Sequence, residues 1–251
     1  EQDIELTATP RMPDNAPSQA HHNWGELRSY GHDGQMPKRN SDEAMPDGLA
    51  RKLIHGYYAA TSYSDALVGN ILAELEALGL ADHTIVVLWG DHGWSLGEHG
   101  LWAKHSSFNV ANQIPLIVRA PGIPDQSRGA MAYGLVESVD IYPTLTELAG
   151  LDTPGHVQGT SFKTLLDDPS SAGKQAVFPR WKNADSIRTD RYYYTEWRNQ
   201  NGKVIANMLY DHENDPEETV NLAGQQAYSM IVSELSSRLD KHLKALAVPV
   251  E

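Results

Sequence analysis

The sequence contains no cysteine, which excludes disulfides, thiolate metal ligands and a cysteine nucleophile within these residues. It has no run of about 18 apolar residues, so nothing in it reads as a membrane-spanning helix. Asn-x-Ser/Thr is also absent, which leaves no site for N-glycosylation. Positive charge is scarce: 20 Lys and Arg stand against 33 Asp and Glu, a formal net charge of −13. Such a surface repels nucleic acid and anionic lipid over most of its extent, so neither is expected as a partner. Any anionic substrate must therefore be met by a local cluster of cations. The opening residues Glu1-Gln2-Asp3 resemble neither a signal peptide nor a natural start, and the residues themselves leave localisation open.

The 251 residues, 40% of them hydrophobic, can support one large domain or two smaller ones. Residues 1–48 carry Pro10, Pro13, Pro17, Pro37 and Pro46 among Gly, Asn and Asp, and read as an irregular segment packed on a neighbouring surface. From 49 the pattern changes. Leu53, Tyr57, Ala60, Ser64, Leu67, Ile71, Leu75 and Leu78 recur at spacings of three and four, one face of a long helix, with Gly79 as its C-cap. Thr84–Trp89 and Ile114–Val118 are short apolar runs of the kind found in strands buried on both faces. A helix over about 136–149, closed by Gly150, completes an α/β layered unit over 49–165, for which a largely parallel sheet is expected. Residues 166–251 read as a smaller subdomain. Ser186–Trp197 and Lys203–Tyr210 form two exposed strands joined through Asn199-Gln200-Asn201-Gly202, then an acidic loop over 211–218, then a closing helix over about 225–246.

The chemistry concentrates where the first buried strand ends, in Gly90-Asp91-His92-Gly93-Trp94 and onward to Trp102-Ala103-Lys104-His105. Ligands in open α/β sheets bind beyond the carboxyl ends of strands. Asp91 offers oxygens to a hard cation and His92 an imidazole nitrogen. Gly90 and Gly93 allow a sharp turn and close approach of backbone to a ligand. Lys104 is a flexible point charge suited to an anionic oxygen. Four of the eleven histidines, His83, His92, His99 and His105, crowd into this stretch. By spacing alone the Asp91-His92 pair fits a polar turn or helix cap as well as a ligand pair, and Trp94 and Trp102 fit the core as well as a substrate wall. His21 and His22, in the irregular segment, read as solvated.

Several motifs in order carry a resemblance. They are Tyr57 through Asp65 with Val68-Gly69, Leu78-Gly79-Leu80, Thr84–Val87 into Asp91-His92-Gly93, Gly97-Glu98-His99-Gly100 with Trp102-Ala103-Lys104 and Phe108, Ser138 through Leu145, Ser186-Ile187-Arg188-Thr189, and Leu209-Tyr210-Asp211 through Glu218 with Asn221-Leu222. Over about 49–223 the chain resembles the C-terminal portion of the type I, formylglycine-dependent sulfatases, in the iduronate-2-sulfatase-like branch of the alkaline-phosphatase-like superfamily. The resemblance implies an α/β/α sandwich with a small C-terminal subdomain of antiparallel sheet and helix, and hydrolysis of a sulfate ester on a sulfated small molecule or saccharide. It places Asp91 and His92 on two metal-ligand positions and Lys104 on the sulfate-contacting lysine, with His92 and Lys104 in the reaction itself and Trp94 and His105 as substrate contacts. One divalent cation is implied, calcium being usual in the family, while the imidazole keeps magnesium and manganese open. A periplasmic, secreted or lysosome-like compartment is the corresponding expectation.

The sequence departs from the family in lacking Cys-x-Pro-x-Arg, its serine equivalent, and the early paired aspartates of the metal shell. The expectation is therefore that these residues are the C-terminal half of a longer or two-chain enzyme, inactive alone, with the nucleophile and remaining ligands supplied by an N-terminal half. Arg188 and Asp140 match motifs but are expected to be structural, Asp65 a helix-face polar contact, and the acidic loop a solvated turn. Rival readings are a phosphonate monoester or phosphodiester hydrolase of the same superfamily, a two-zinc phosphatase, and an inactive piece with a binding or structural role.

Overall fold

The structure, a computed structural model, describes residues 3–22, 24–38 and 43–246. The Pro-rich N-terminal segment follows a winding path containing the one-turn helix α1 (Gly25–Leu27). It is strapped down by backbone hydrogen bonds from Asp14 N to Thr219 O, 2.9 Å, and from His99 N to Thr9 O, 2.6 Å. Trp24, Leu27, Met36 and Met45 pack with Leu49, Ala50 and Ile54 at the start of α2 and with Trp102. The apolar residues between the prolines thus find a core without regular structure of their own.

Helix α2 (Asp47–Ala77) begins after Pro46 with Asp47 in its first turn, where a carboxylate complements the helix dipole. It ends as expected at Gly79, whose φ of +67° closes a Schellman motif with Leu80 N bonded to Leu75 O and Gly79 N to Glu76 O. Its apolar face is buried only at Leu49, Ala50 and Ile54; Tyr63, Leu67 and Ile71 further along are exposed.

Strand β1 (Val86–Trp89) leads into the site turn, and the two-residue strands β2 (Ser95–Leu96) and β3 (Trp102–Ala103) pair beyond it. The short helix α3 (Asn109–Asn112) then precedes β4 (Leu116–Arg119). β4 pairs with β1 antiparallel, in register Val86 with Arg119 and Trp89 with Leu116. The expected parallel arrangement is not met between these two strands, because the chain reverses through the site loop instead of crossing over a helix. Nor are they buried on both faces in this chain, since Trp89 and Ile117 stand exposed. Helix α4 (Ile141–Leu148) ends in a second Schellman motif at Gly150, and α5 (Lys163–Asp167) follows.

A four-stranded antiparallel sheet in the order β5 (Arg180–Trp181), β6 (Ala184–Arg188), β7 (Tyr192–Arg198) and β8 (Val204–Asp211) makes the C-terminal unit with helix α6 (Ser229–Leu246). The stretch Ser186–Trp197, read from sequence as one strand, is two. A turn at Thr189 breaks it, with Thr189 N bonded to Tyr192 O and Tyr192 N to the Thr189 hydroxyl, each at 2.9 Å. Alternation puts Ile187, Tyr194 and Leu209 against Leu235 and Leu239 of α6. Ala184, Trp197, Met208 and Tyr210 face the opposite way, against Leu101 and Phe108 of the site loop.

The acidic loop over 211–218 is not the solvated turn expected from its charge. Asp211 is 1% and Glu218 2% exposed. Asp211 takes a bidentate pair from Arg191, at 2.8 and 2.7 Å, and Glu218 accepts from Asn109 N at 2.9 Å and lies 2.8 Å from His212 Nε2. Burial is tolerated because each carboxylate has its donors within the loop's reach. Arg191 beside it lowers the Asp211 carboxyl from 3.8 to about 2. Its contribution to stability is then complete above pH 3.8 and disappears as pH falls toward about 2. Asp211→Asn is expected to lower stability at neutral pH and to flatten the acid dependence in that window, as measured by denaturant titration at several pH values.

Candidate active site

The site is built from a turn, a loop and the N-terminal segment. β1 ends at Trp89, and Gly90 N bonds Pro115 O at 3.1 Å while Gly93 N bonds Ala111 O at 2.9 Å. Gly93 is required by close approach: a Cβ there would stand 2.1 Å from Val110 O. The turn so formed projects Asp91, its side chain 82% exposed, with Oδ2 3.4 Å from His92 Nε2. His92 Nδ1 lies 2.9 Å from Gly93 O, and a proton donated there leaves Nε2 an acceptor. Two acceptors 3.4 Å apart are reconciled by a cation or a proton between them. In metal sites the second imidazole nitrogen commonly donates to a backbone carbonyl in this way. The pair therefore fits one edge of a divalent-cation shell. It is two donors against the six to eight that calcium takes, and among the described residues no three His, Cys, Asp or Glu side chains are grouped to hold an ion.

Trp94 connects this pair to the lysine. Its ring stacks on His92 and on Tyr57 of α2, each at 6.0 Å between centroids, and Lys104 Nζ lies 5.8 Å from the ring centroid. Lys104 reaches that point because Ala103, at φ +70°, turns the chain out of β3. Its ammonium forms a 3.0 Å ion pair with Glu26 Oε1. The hydrogen bond to Glu26 is the largest influence on Lys104 and raises its pKa, with the Asp91 charge acting in the same direction. His105 stacks on Trp181 at 4.6 Å and 9° between planes, with Nε2 3.6 Å from Glu26 Oε2. Burial lowers the His105 pKa; Lys104, Lys182 and His92 push the same way and Glu26 opposes.

All the residues singled out from sequence, Asp91, His92, Trp94, Lys104 and His105, are thus drawn to one surface. Trp102, in contrast, is buried in the core with the N-terminal segment. Sequence reasoning missed Glu26, Tyr30, Trp181 and Lys182, which lie far from the Asp-His-Gly turn in the chain and carry no local signal. His22 requires a correction. Trp24, at φ +52°, folds the segment back and donates its backbone N–H to His22 Nδ1 at 3.1 Å. His22 then sits 6.5 Å from His105, and burial first, then His105, lowers its pKa to about 4. Asp140 is structural as expected: buried, it accepts from the backbone of Glu137 and Thr160, each at 2.8 Å, and from Lys174.

The fold that carries this site is that of the alkaline-phosphatase-like α/β class. It matches a 2-O GAG sulfatase with a TM-score of 0.74 at 24% identity, covering 99% of this chain and 56% of that one. It also matches a protein solved in complex with its substrate D-glucosamine-2-N,6-O-disulfate, at TM-score 0.71 and 24% identity, covering 88% and 45%. A phosphonate monoester hydrolase from Agrobacterium radiobacter aligns at TM-score 0.76 and 20% identity, covering 97% and 52%. These likenesses carry the fold alone. The sulfatase family profile matches residues 7–151, and a profile for the N-sulphoglucosamine sulphohydrolase C-terminal region matches 97–245. The chain belongs to the sulfatase family. It is 30% identical to human iduronate 2-sulfatase over 292 residues, 88% of this chain and 53% of the relative. It is 32% identical to Xenopus laevis arylsulfatase K over 202 residues, 76% and 36%. The chain thus spans about half, or less, of the length of these relatives.

Because the Gly93 turn is packed directly against the Val110 carbonyl, Gly93→Ala is expected to cost about 1–3 kcal/mol of stability. It should also displace the amide NMR signals of the Asp91–Trp94 turn together with those flanking Val110.

Proposed function

We propose that this chain supplies one side of the metal and sulfate site of an enzyme that hydrolyses a sulfate ester, on a sulfated small molecule or saccharide. The observation that carries the reading is the approach of the Lys104 ammonium to the Asp91-His92 pair across Trp94, in a chain of strongly negative net charge. Asp91 and His92 would hold a divalent cation, calcium by family habit. Such a cation supplies positive charge against the sulfate oxygens and the developing oxyanion. Lys104 adds a second positive charge from the other side, and its pairing with Glu26 keeps it protonated. Trp94 and His105 offer a flat wall and a hydrogen-bonding ring to the rest of the substrate. Cation and ammonium together would hold a tetrahedral anion in one orientation, which is the positional part of catalysis.

The nucleophile of this reading, a formylglycine, lies outside these residues, which contain no cysteine. The chain alone is proposed to be inactive. A complementary N-terminal half, as part of the same polypeptide or as a partner chain, would bring the nucleophile and the remaining ligands. It would also cover the apolar surface formed by Tyr63, Leu67 and Ile71 of α2 with Trp89 and Ile117 of the β1–β4 pair, all exposed here. A periplasmic, secreted or lysosome-like setting accords with this family. The second reading is a phosphonate monoester hydrolase of the same superfamily, since the fold matches such an enzyme as well as it matches a sulfatase.

In the whole protein, turnover of an aryl sulfate is expected to exceed turnover of a phenyl phosphonate, and the reverse order would favour the second reading. Asp91→Ala should abolish metal-dependent activity, and Lys104→Ala should lower kcat/KM on the order of 10²-fold or more while barely moving Tm. Unchanged activity in both variants would sink the proposal. Mixed with a separately produced N-terminal half, the chain should form a 1:1 complex by light scattering. In that complex, amide exchange should slow along residues 60–75 and 86–89; two unassociated species would count against a complementary half.

A further inference from the structure

Glu26 touches no substrate in the chemistry above, yet Lys104 and His105 both gather on its carboxylate. Its Oε1 receives the Lys104 ammonium at 3.0 Å and the Tyr30 hydroxyl at 3.1 Å. Its Oε2 lies 3.6 Å from His105 Nε2 and, among the described residues, is buried without a hydrogen-bond partner. The side chain is only 19% exposed, so this is not a loose surface pair. Desolvating a carboxylate oxygen that has only the His105 imidazole, at 3.6 Å, to compensate works against stability, which argues that the arrangement serves something else. Lysine is a point charge on a flexible four-carbon stem and does not hold one position unaided. Here one of its three donors is tied to Glu26, and Tyr30 fixes the orientation of the carboxylate that ties it. The same ammonium lies 5.8 Å from the centroid of the Trp94 ring, on which His92 stacks. His105 is held between the same carboxylate and the face of Trp181.

We propose that Glu26 is the positioning residue of this site, holding Lys104 and His105 side by side so that both face the sulfated substrate. The proposal rests on the reading of Lys104 as the sulfate-contacting ammonium. It also assigns a task to the N-terminal segment: α1, with no catalytic motif, completes the geometry of a loop far downstream. Besides Glu26, the groups that bear on His105 are Lys104, Lys182, His92 and His22, all adverse to its protonation. Those that bear on Lys104 are Glu26, Tyr30 and Asp91, all favouring its charge. Glu26 is therefore the group whose loss moves both in the same direction.

Two measurements test this. In the whole protein, Glu26→Gln should lower kcat about 10- to 100-fold with a smaller change in KM. It should also shift the alkaline limb of the pH–rate profile to lower pH, because the carboxylate that keeps Lys104 protonated is gone; Glu26→Asp should recover part of both. A loss of activity with an unmoved alkaline limb and no recovery by Asp would mean a merely structural role and would overturn the proposal. In the same whole protein, imidazole NMR of His105 should show titration at lower pH in Glu26→Gln than in the parent. An unmoved His105 overturns the proposal whether or not the protein hydrolyses sulfate esters. If the whole parent protein lacks that activity and His105 still shifts, the sulfatase reading fails while the positioning by Glu26 stands.

Discussion

The architecture depends on the site loop being clamped between two bodies, the C-terminal sheet and the N-terminal segment. From one side, the face of the C-terminal sheet carrying Trp197, Met208 and Tyr210 presses on Leu101 and Phe108. From the other, Trp24 donates its indole N–H to Gly100 O at 3.0 Å and packs beside Trp102. Glu218 ties the C-terminal unit to the chain that follows the loop, its buried carboxylate accepting from the first amide of α3. A loop of this length, with left-handed residues at Gly97, His99, Gly100 and Ala103, has little regular hydrogen bonding to hold it beyond the two-residue β2–β3 pair. Burial of its apolar residues and satisfaction of its backbone groups by neighbours do that work instead.

Electrostatics follow from that placement. A chain of net charge −13 presents an anion with a repulsive field almost everywhere, so the approach to a sulfated ligand must be local. Lys104, Lys182, His22 and His105 converge there, with Glu26 and Asp91 as the facing carboxylates. The field is strong because the groups are few, near one another and partly desolvated. The same desolvation lowers the pKa of His22 and of His105 and so weighs against their charged forms.

The unpaired apolar faces of α2 and of the β1–β4 pair belong to the same logic. The sequence periodicity over 53–78 marks a face suited to burial along its whole length, yet within this chain the fully buried residues of α2, Leu49, Ala50 and Ile54, lie in its first turns. Amphipathicity reports which face is meant to be covered; it does not report whether the covering element is in the same stretch of sequence.

Long helices, their glycine stops at Gly79 and Gly150, the Asn199–Gly202 turn and the Asp-His-Gly turn after β1 were legible by themselves. Each is set by interactions over a few residues: backbone conformational freedom, hydrophobic period and side-chain chemistry. The antiparallel pairing of β1 with β4 was not legible, and neither was the turn that divides Ser186–Trp197. There, local β-propensity continues through a Thr-Asp pair whose hydroxyl and carbonyl bonds form only once the hairpin closes. The buried state of Asp211 and Glu218 and the recruitment of Glu26 and His22 to the site were equally hidden. They turn on partners distant in the chain: Arg191, Asn109, Lys104 and His105 respectively. The sequence by itself determined which residues could carry the chemistry. Tertiary structure decided which of them meet, because burial and charge pairing are properties of neighbours in space.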